Sequence, residues 1–331
     1  MFHSKKTLST RKNHSDCSGC SLCLLVCPVW RQTRDIGLTP HGHAKALQHN
    51  AATVDSASAW HCTLCMACEP ACPDNIDIIG MILEFRRQQS SPHWLPDLRK
   101  KISEETTRQT VKASSSARAH LELPVLLPDA SLHAHPDTLA RTAGLLDARF
   151  CDDDGSDISL ALESGADIPE QRLHQFLAPL RPLNKIIVAD GLLFHYLKKW
   201  IPNLKAISLG EAISSHAAVR RSLRRTDLYI IEPRAYHSDY PRLVKYYDSL
   251  RIDAGCMFNL DLQRIAIPAT VHSLPQRFGF LAANDEEQTR WLMHGQNITR
   301  IVVESLADYS ALKKTGDFPV VHLADLPNAE Q

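Results

Sequence analysis

Eight of the ten cysteines in this 331-residue chain fall in two copies of one spacing, and that spacing constrains the surrounding fold more than any other feature. Cys17, Cys20, Cys23 and Cys27 precede Pro28 in CSGCSLCLLVCP, and Cys62, Cys65, Cys68 and Cys72 precede Pro73 in CTLCMACEPACP. Both runs read C-x2-C-x2-C-x3-C-P. In bacterial proteins this spacing wraps three thiolates around one corner of a [4Fe–4S] cube and sends the fourth to the neighbouring cube. The expectation is two [4Fe–4S] clusters, one on Cys17, Cys20, Cys23 and Cys72, the other on Cys62, Cys65, Cys68 and Cys27. A structural zinc site pairs two C-x2-C hooks tetrahedrally and has no use for a third evenly spaced cysteine or the C-P step. A disulfide framework suits a short secreted chain, whereas these cysteines are confined to two tight runs of a long one.

Composition narrows the setting. Lysine plus arginine and aspartate plus glutamate balance at 37 each, so no overall field draws the chain to nucleic acid or an anionic membrane. The residues before Cys17 are basic and polar without an apolar core, unlike a signal peptide or anchor. The apolar stretch 76–85 carries Asp77 and Glu84 and is too short to span a bilayer. A cytoplasmic protein is expected, with any membrane contact peripheral, at the inner face and through a partner. The 17 histidines are scattered. His41 and His43 in TPHGH are candidate ligands, weighed against a polar loop.

The chain divides by pattern. Residues 1–100 read as an α-helical, ferredoxin-like two-cluster domain, with helices at 40–50, 54–60 and 76–89. In the last of these, Ile78, Ile79, Ile82 and Phe85 repeat at helical period. Residues 101–120 are polar, rich in alanine and serine, and read as a linker. Residues 121–331 form an α/β domain. A helix is expected at 135–146, with Pro136 in its first turn. Strands are expected at 123–127, 185–189, 204–209, 228–231, 264–267, 300–303 and 320–323, mostly separated by helices as in a parallel sheet. Residues 184–212 and 299–326 both run strand, helix with Leu-Lys-Lys, then strand, which predicts a duplicated parallel-sheet repeat.

With these runs and the repeat, the chain resembles the iron–sulfur subunits of glycolate oxidase, lactate-utilisation and anaerobic glycerol-3-phosphate dehydrogenase systems. Its cluster half looks like the small iron–sulfur subunit of heterodisulfide reductase, and WRQTRDIGLTPHGHAKAL is similar to the family's loop after its first cluster motif. The resemblance implies an electron-transfer subunit whose second half carries paired-cysteine motifs. This chain departs from it there. DGLLF at 190–194 and SLADY at 305–309 stand where the family has cysteines, and Ile231, Glu232, Pro233 and Arg234 replace a histidine–aspartate–proline–cysteine step. Aspartate, leucine and arginine neither bind iron as thiolates do nor attack disulfides. The second half therefore reads as a degenerate cysteine-rich domain, a docking scaffold. Cys151 and Cys256 are too few for a further fully cysteine-ligated cube and read as packing residues.

Two functions follow from this reading. The first is an electron-transfer subunit passing single electrons between a flavoprotein dehydrogenase, or another redox subunit, and a downstream acceptor such as quinone. Trp60, Leu22, Leu24 and Leu25 would form an apolar shell around the clusters. The second is an assembly, binding or sensing module with structural clusters. Its ligand pocket would lie between the repeats at the carboxyl ends of the strands, near Arg234, His237 and Asp239. No glycine-rich phosphate loop, flavin fingerprint or nucleophile elbow is present, so no catalytic residue is assigned.

Overall fold

The computed structural model describes residues 11–49, 58–88, 93–115, 123–151, 153–270, 272–280 and 286–328. In the second half, β1 (Val125–Leu127), β2 (Arg149–Phe150), β3 (Lys185–Val188) and β4 (Lys205–Ser208) form one sheet in the order β2-β1-β3-β4. β5 (Asp227–Ile230), β6 (Met257–Phe258), β7 (Arg300–Val303) and β8 (Val320–His322) form a second in the order β6-β5-β7-β8. Every pairing is parallel. The two units thus share one topology, and the repeated segments supply β3 and β4 in one and β7 and β8 in the other.

Burial explains the composition of these strands. Parallel strands covered on both faces read as continuous apolar runs, and alternate residues enter different cores. Leu126, Ile187, Tyr229 and Val302, one from each central strand, share a single core that joins the two sheets. Their neighbours Val125, Leu127, Ile186 and Val188 face a core built from the first unit and closed by Ala235 of the second, and Leu228, Ile230, Ile301 and Val303 face a core of the second unit.

The turn after each central strand is closed by a capping side chain. After β1, Asp129 accepts from the Leu132 N–H at 2.8 Å. After β3, Asp190 accepts from the Leu193 N–H at 2.8 Å. After β5, Glu232 accepts from the Arg234 and Ala235 N–H groups at 3.1 and 2.6 Å. After β7, Ser305 accepts from the Ala307 N–H at 3.2 Å. These caps gather at the carboxyl ends of the strands, facing the cluster half.

The described part of the cluster half is built of helices joined by turns and loops, the second cysteine run lying in one such loop, and its β pairing is an isolated bridge between Lys12 and Ile76. The helices Pro28–Thr33 and Pro40–Gln48 each begin on a proline, whose fixed φ suits a first turn. Gly42 is required by space, because a Cβ there would lie 2.1 Å from the Ile36 carbonyl oxygen. Helix Ile78–Gln88 buries Ile78, Ile79, Ile82 and Phe85.

Three expectations need correction. The stretch read as a linker is helical to Ser115 within the helix Leu95–Ser115; residues 116–120 lie outside the described part. Leu95, Leu98 and Ile102 anchor that helix beside Trp60, Trp94, Ala161 and Leu274. Its apolar stripe begins before residue 101, so the polar remainder hides it. The helix expected at 54–60 is a 3-10 turn at Ser58–His61, and residues 54–57 are not described. The strand expected at 264–267 is a single antiparallel bridge, Leu260 with Ala266, and the edge position belongs to β6. β2 and β6 are two residues long, too short to show a period. Among the described residues no helix is long and apolar enough to cross a membrane.

Candidate iron–sulfur centre

The eight cysteines line two adjoining cavities. Cys17, Cys20, Cys23 and Cys72 border an outer one, with Ile76 and Met81 among its apolar walls. Cys27, Cys62, Cys65 and Cys68 border an inner one, with Val29, Met66 and Ile79. Each therefore takes three thiols from one run and one from the other, and Pro40 borders both. Cys20 is exposed and its three companions are half-buried, whereas all four inner cysteines are buried.

Local backbone geometry turns the thiols inward. Gly19 and Ser21 take positive φ values of 82° and 65° within the first run, and Leu64 and Met66 take 53° and 63° within the second. A left-handed non-glycine residue costs about 1–2 kcal/mol. Complete burial of the Leu64 and Met66 side chains offsets that cost. Cys27 is the N-cap of helix Pro28–Thr33. Its sulfur meets the amides of Trp30 and Val29, which favour a thiolate.

Burial dominates the acidity of these groups. It pushes the Cys23 and Cys27 thiols up to about 12 and Cys65 up to about 11, with neighbouring cysteines adding to the effect. Burial also raises Cys68 well above the ordinary thiol range. Four thiolates packed this closely in apolar surroundings need cationic iron to balance them, and metal binding deprotonates such thiols outright. Among the described residues no three His, Cys, Asp or Glu side chains converge on a single metal ion. The thiols stand around a void, and the donor set fits a four-iron cube.

The other candidates fare differently. His41 borders the outer cavity. His43 is buried, bonds Ser58 Oγ through Nε2 at 3.1 Å and packs on Phe85, with burial holding it down to about 4. The two histidines are two apart on one helix and do not face each other. Trp60 and Leu24 are buried, whereas Leu22 and Leu25 are exposed and do not shield a cavity. Cys256 is buried and Cys151 half-buried, each packed against an apolar core of the α/β half.

Between the two sheets, at the capped strand ends, lies a cavity of about 120 Å³. Thr63 and Cys65 of the second cysteine run form one wall, and Asp190, Glu232, Arg234 and Arg277 are among the others. Arg234 lines it but is engaged, donating to the Thr63 carbonyl at 2.7 Å and to Glu163 at 2.8 Å. His237 points to the cluster half, with Nδ1 2.7 Å from the Cys65 carbonyl oxygen and Nε2 3.1 Å from the Ala266 amide nitrogen. The Ala266 N–H makes Nε2 the acceptor, so Nδ1 carries the proton. Asp239 is outside the cavity wall and pairs with Lys198 at 2.8 Å and Arg242 at 2.5 Å. Burial raises Glu232 to about 8 and Glu304 to about 7; Glu304 accepts from the Tyr229 and Tyr247 hydroxyls at 2.7 and 2.6 Å.

A family model described as a 4Fe-4S dicluster domain matches residues 13–76. The amino-terminal region holds a 4Fe-4S dicluster domain. The match takes in both cysteine runs and ends just before the helix Ile78–Gln88. No curated protein and no solved structure matches the chain. The dicluster domain makes the chain an iron–sulfur protein and points to electron transfer. Arg86, Arg234 and Arg277 meet around Glu163, a grouping with no local motif that the spacing of the sequence could disclose.

Proposed function

We propose that this chain is the electron-transfer subunit of an oxidoreductase complex, and that its α/β half is the platform on which a redox partner docks. Cys17, Cys20, Cys23 and Cys72 hold one [4Fe–4S] cluster; Cys62, Cys65, Cys68 and Cys27 hold the other. The observation that carries this reading is the pair of four-thiol cavities with Pro40 between them, one bordered by the exposed Cys20 and one by four buried thiols. When bound, each cluster takes up and releases one electron at a time. The thiols fix its position, Ile76, Met81, Val29 and Ile79 exclude water, and the crossed cysteines tie the two centres into one rigid unit. The donor is a flavoprotein dehydrogenase, because a flavin can accept an electron pair and release it singly. The acceptor is quinone or another redox subunit, with any membrane contact through a partner and the protein itself in the cytoplasm.

Metal analysis should find about eight iron and eight acid-labile sulfide per chain. Cys27→Ser and Cys62→Ser should damage the same EPR signal of the reduced protein, and damage to different signals sinks the crossed ligand sets. The copurifying flavoprotein and its substrate should reduce the clusters rapidly. Clusters that no copurifying flavoprotein reduces would favour the assembly or sensing reading, which draws support from the grip of Arg234 and His237 on the inner run.

A further inference from the structure

Glu163 lies in the last turn of the helix Ser156–Ser164, with its side chain 2% exposed. Three guanidiniums surround it. Arg234 Nη2 is 2.8 Å from Oε1, and Arg277 pairs with Oε2. Arg86, itself buried, donates to the Glu163 main-chain carbonyl and reaches the Ala59 carbonyl at 3.1 Å and the Cys62 carbonyl at 2.5 Å. Arg234 donates to the Thr63 carbonyl. Two of the three cations are therefore bonded to the main chain of the inner cysteine run.

The charge does not cancel. Arginine remains protonated in proteins. Glu163 remains ionised: burial opposes its charge, but Arg234 and Arg277 overcome that and hold it down to about 2. Within the cage three positive charges meet one negative; across the same cavity Asp190 and Glu232 also act on Arg234, with burial raising Glu232 to about 8, so an excess of positive charge remains beside the inner run. The charges at the outer cavity lie nearer to solvent. Lys45 donates to the Cys17 carbonyl at 3.1 Å, and Lys12 and Lys45 both act on Asp74, which accepts from the Ser18 N–H at 2.9 Å. Exposure at Cys20 lets solvent screen these charges. Within the inner run Glu69 is matched by Arg11.

Reduction adds one negative charge to a cluster. Burial alone resists that addition, and fixed positive charge in surroundings of low dielectric favours it. We propose that Arg86, Arg234 and Arg277, gathered on Glu163, make the inner centre the more easily reduced of the two, so that an electron entering at the exposed outer centre comes to rest at the inner one, against the α/β half. This rests on the electron-transfer reading above. The step moves one electron: the outer centre is oxidised, the inner one is reduced, no bond forms or breaks, and the flavoprotein partner is the reductant.

Redox titration of the full-length protein, followed by EPR, tests this, with the inner signal identified as the one lost in Cys62→Ser. In the unaltered protein the inner signal should develop at the higher potential. Arg234→Gln should lower the inner centre's reduced-to-oxidised ratio at a given potential at least tenfold, which is about 59 mV for one electron, and leave the outer centre in place. Arg234→Lys should restore most of the difference. Arg277→Gln gives the same sign of shift at a side chain 35% exposed, so it serves where Arg234→Gln fails to fold. Glu163→Gln should shift the ratio the opposite way, a reversal that a merely structural role does not produce. An inner centre of lower potential than the outer one overturns the proposal. So does an unmoved inner potential in Arg277→Gln with full iron content. A chain that carries no cluster overturns the electron-transfer reading as well, which tells the two failures apart.

Discussion

His237 donates from Nδ1 to the Cys65 carbonyl and accepts the Ala266 N–H on Nε2, so a second ring proton would break the Ala266 bond that holds the ring in place against the inner cysteine run. Burial holds this ring down to about 4, below about 6.5 for an exposed histidine. The folded chain therefore binds fewer protons here than the unfolded chain. The contribution is complete above pH ~6.5 and is lost as pH falls toward 4, at most on the order of 3 kcal/mol. His43, His195 and His322 are depressed in the same direction by burial. Calorimetry should show a melting temperature that falls from pH 7 to pH 5, with a shallower slope in His237→Gln. Arg172 is the other decisive side chain at this scale. It forms paired bonds of 2.7–2.8 Å with Asp153 and Asp157, all three buried. Arg172→Met leaves two buried carboxylates without their cation and should cost about 3–5 kcal/mol in urea unfolding.

At the scale of elements, the helix Gly191–Trp200 of the first unit packs against the helix Pro233–Ser238 of the second, their first turns approaching with almost no clearance. A Cβ on Gly191 would lie 2.5 Å from the Ala235 nitrogen and from Arg234 Cβ. Gly191→Ala should destabilise by about 1–3 kcal/mol, and unfolding experiments should separate it from Gly144→Ala, where the added methyl meets open space. This fit explains what the sequence could disclose. β3 and β7 were legible because burial on both faces makes each an unbroken apolar run after its first residue, Lys185 or Arg300. β2 and β6 were not, since two residues set no period. The helix Leu95–Ser115 was misread because its buried positions lie at its beginning. The dicluster domain was legible because its cysteine runs are set by short, local spacing. The Glu163 cage was not, because its members come together only when distant elements pack.

At the scale of the molecule, the two halves share an interior. Leu192 and Ile265 of the α/β half pack in the same apolar cluster as Cys62, Cys65 and Cys68, and Arg234 and His237 bond the run's carbonyls. A fragment ending at Ser115 lacks all of these contacts. It should retain the outer centre and lose much of the inner one, so that iron per chain falls toward half, measured against the full-length protein by metal analysis and visible absorption.

That shared interior also bears on how the protein is made. The four inner thiols are buried, and Arg234 and His237 of the α/β half bond the run that carries three of them, so on the proposed ligand sets the inner centre is expected to be delivered before the two halves close. Maturation then has an order, with delivery first and closure second. Chain folded without iron, then offered iron and sulfide, should fill its solvent-facing centre quickly. It should fill the other only at the rate at which the halves part, and mild urea should speed that second phase.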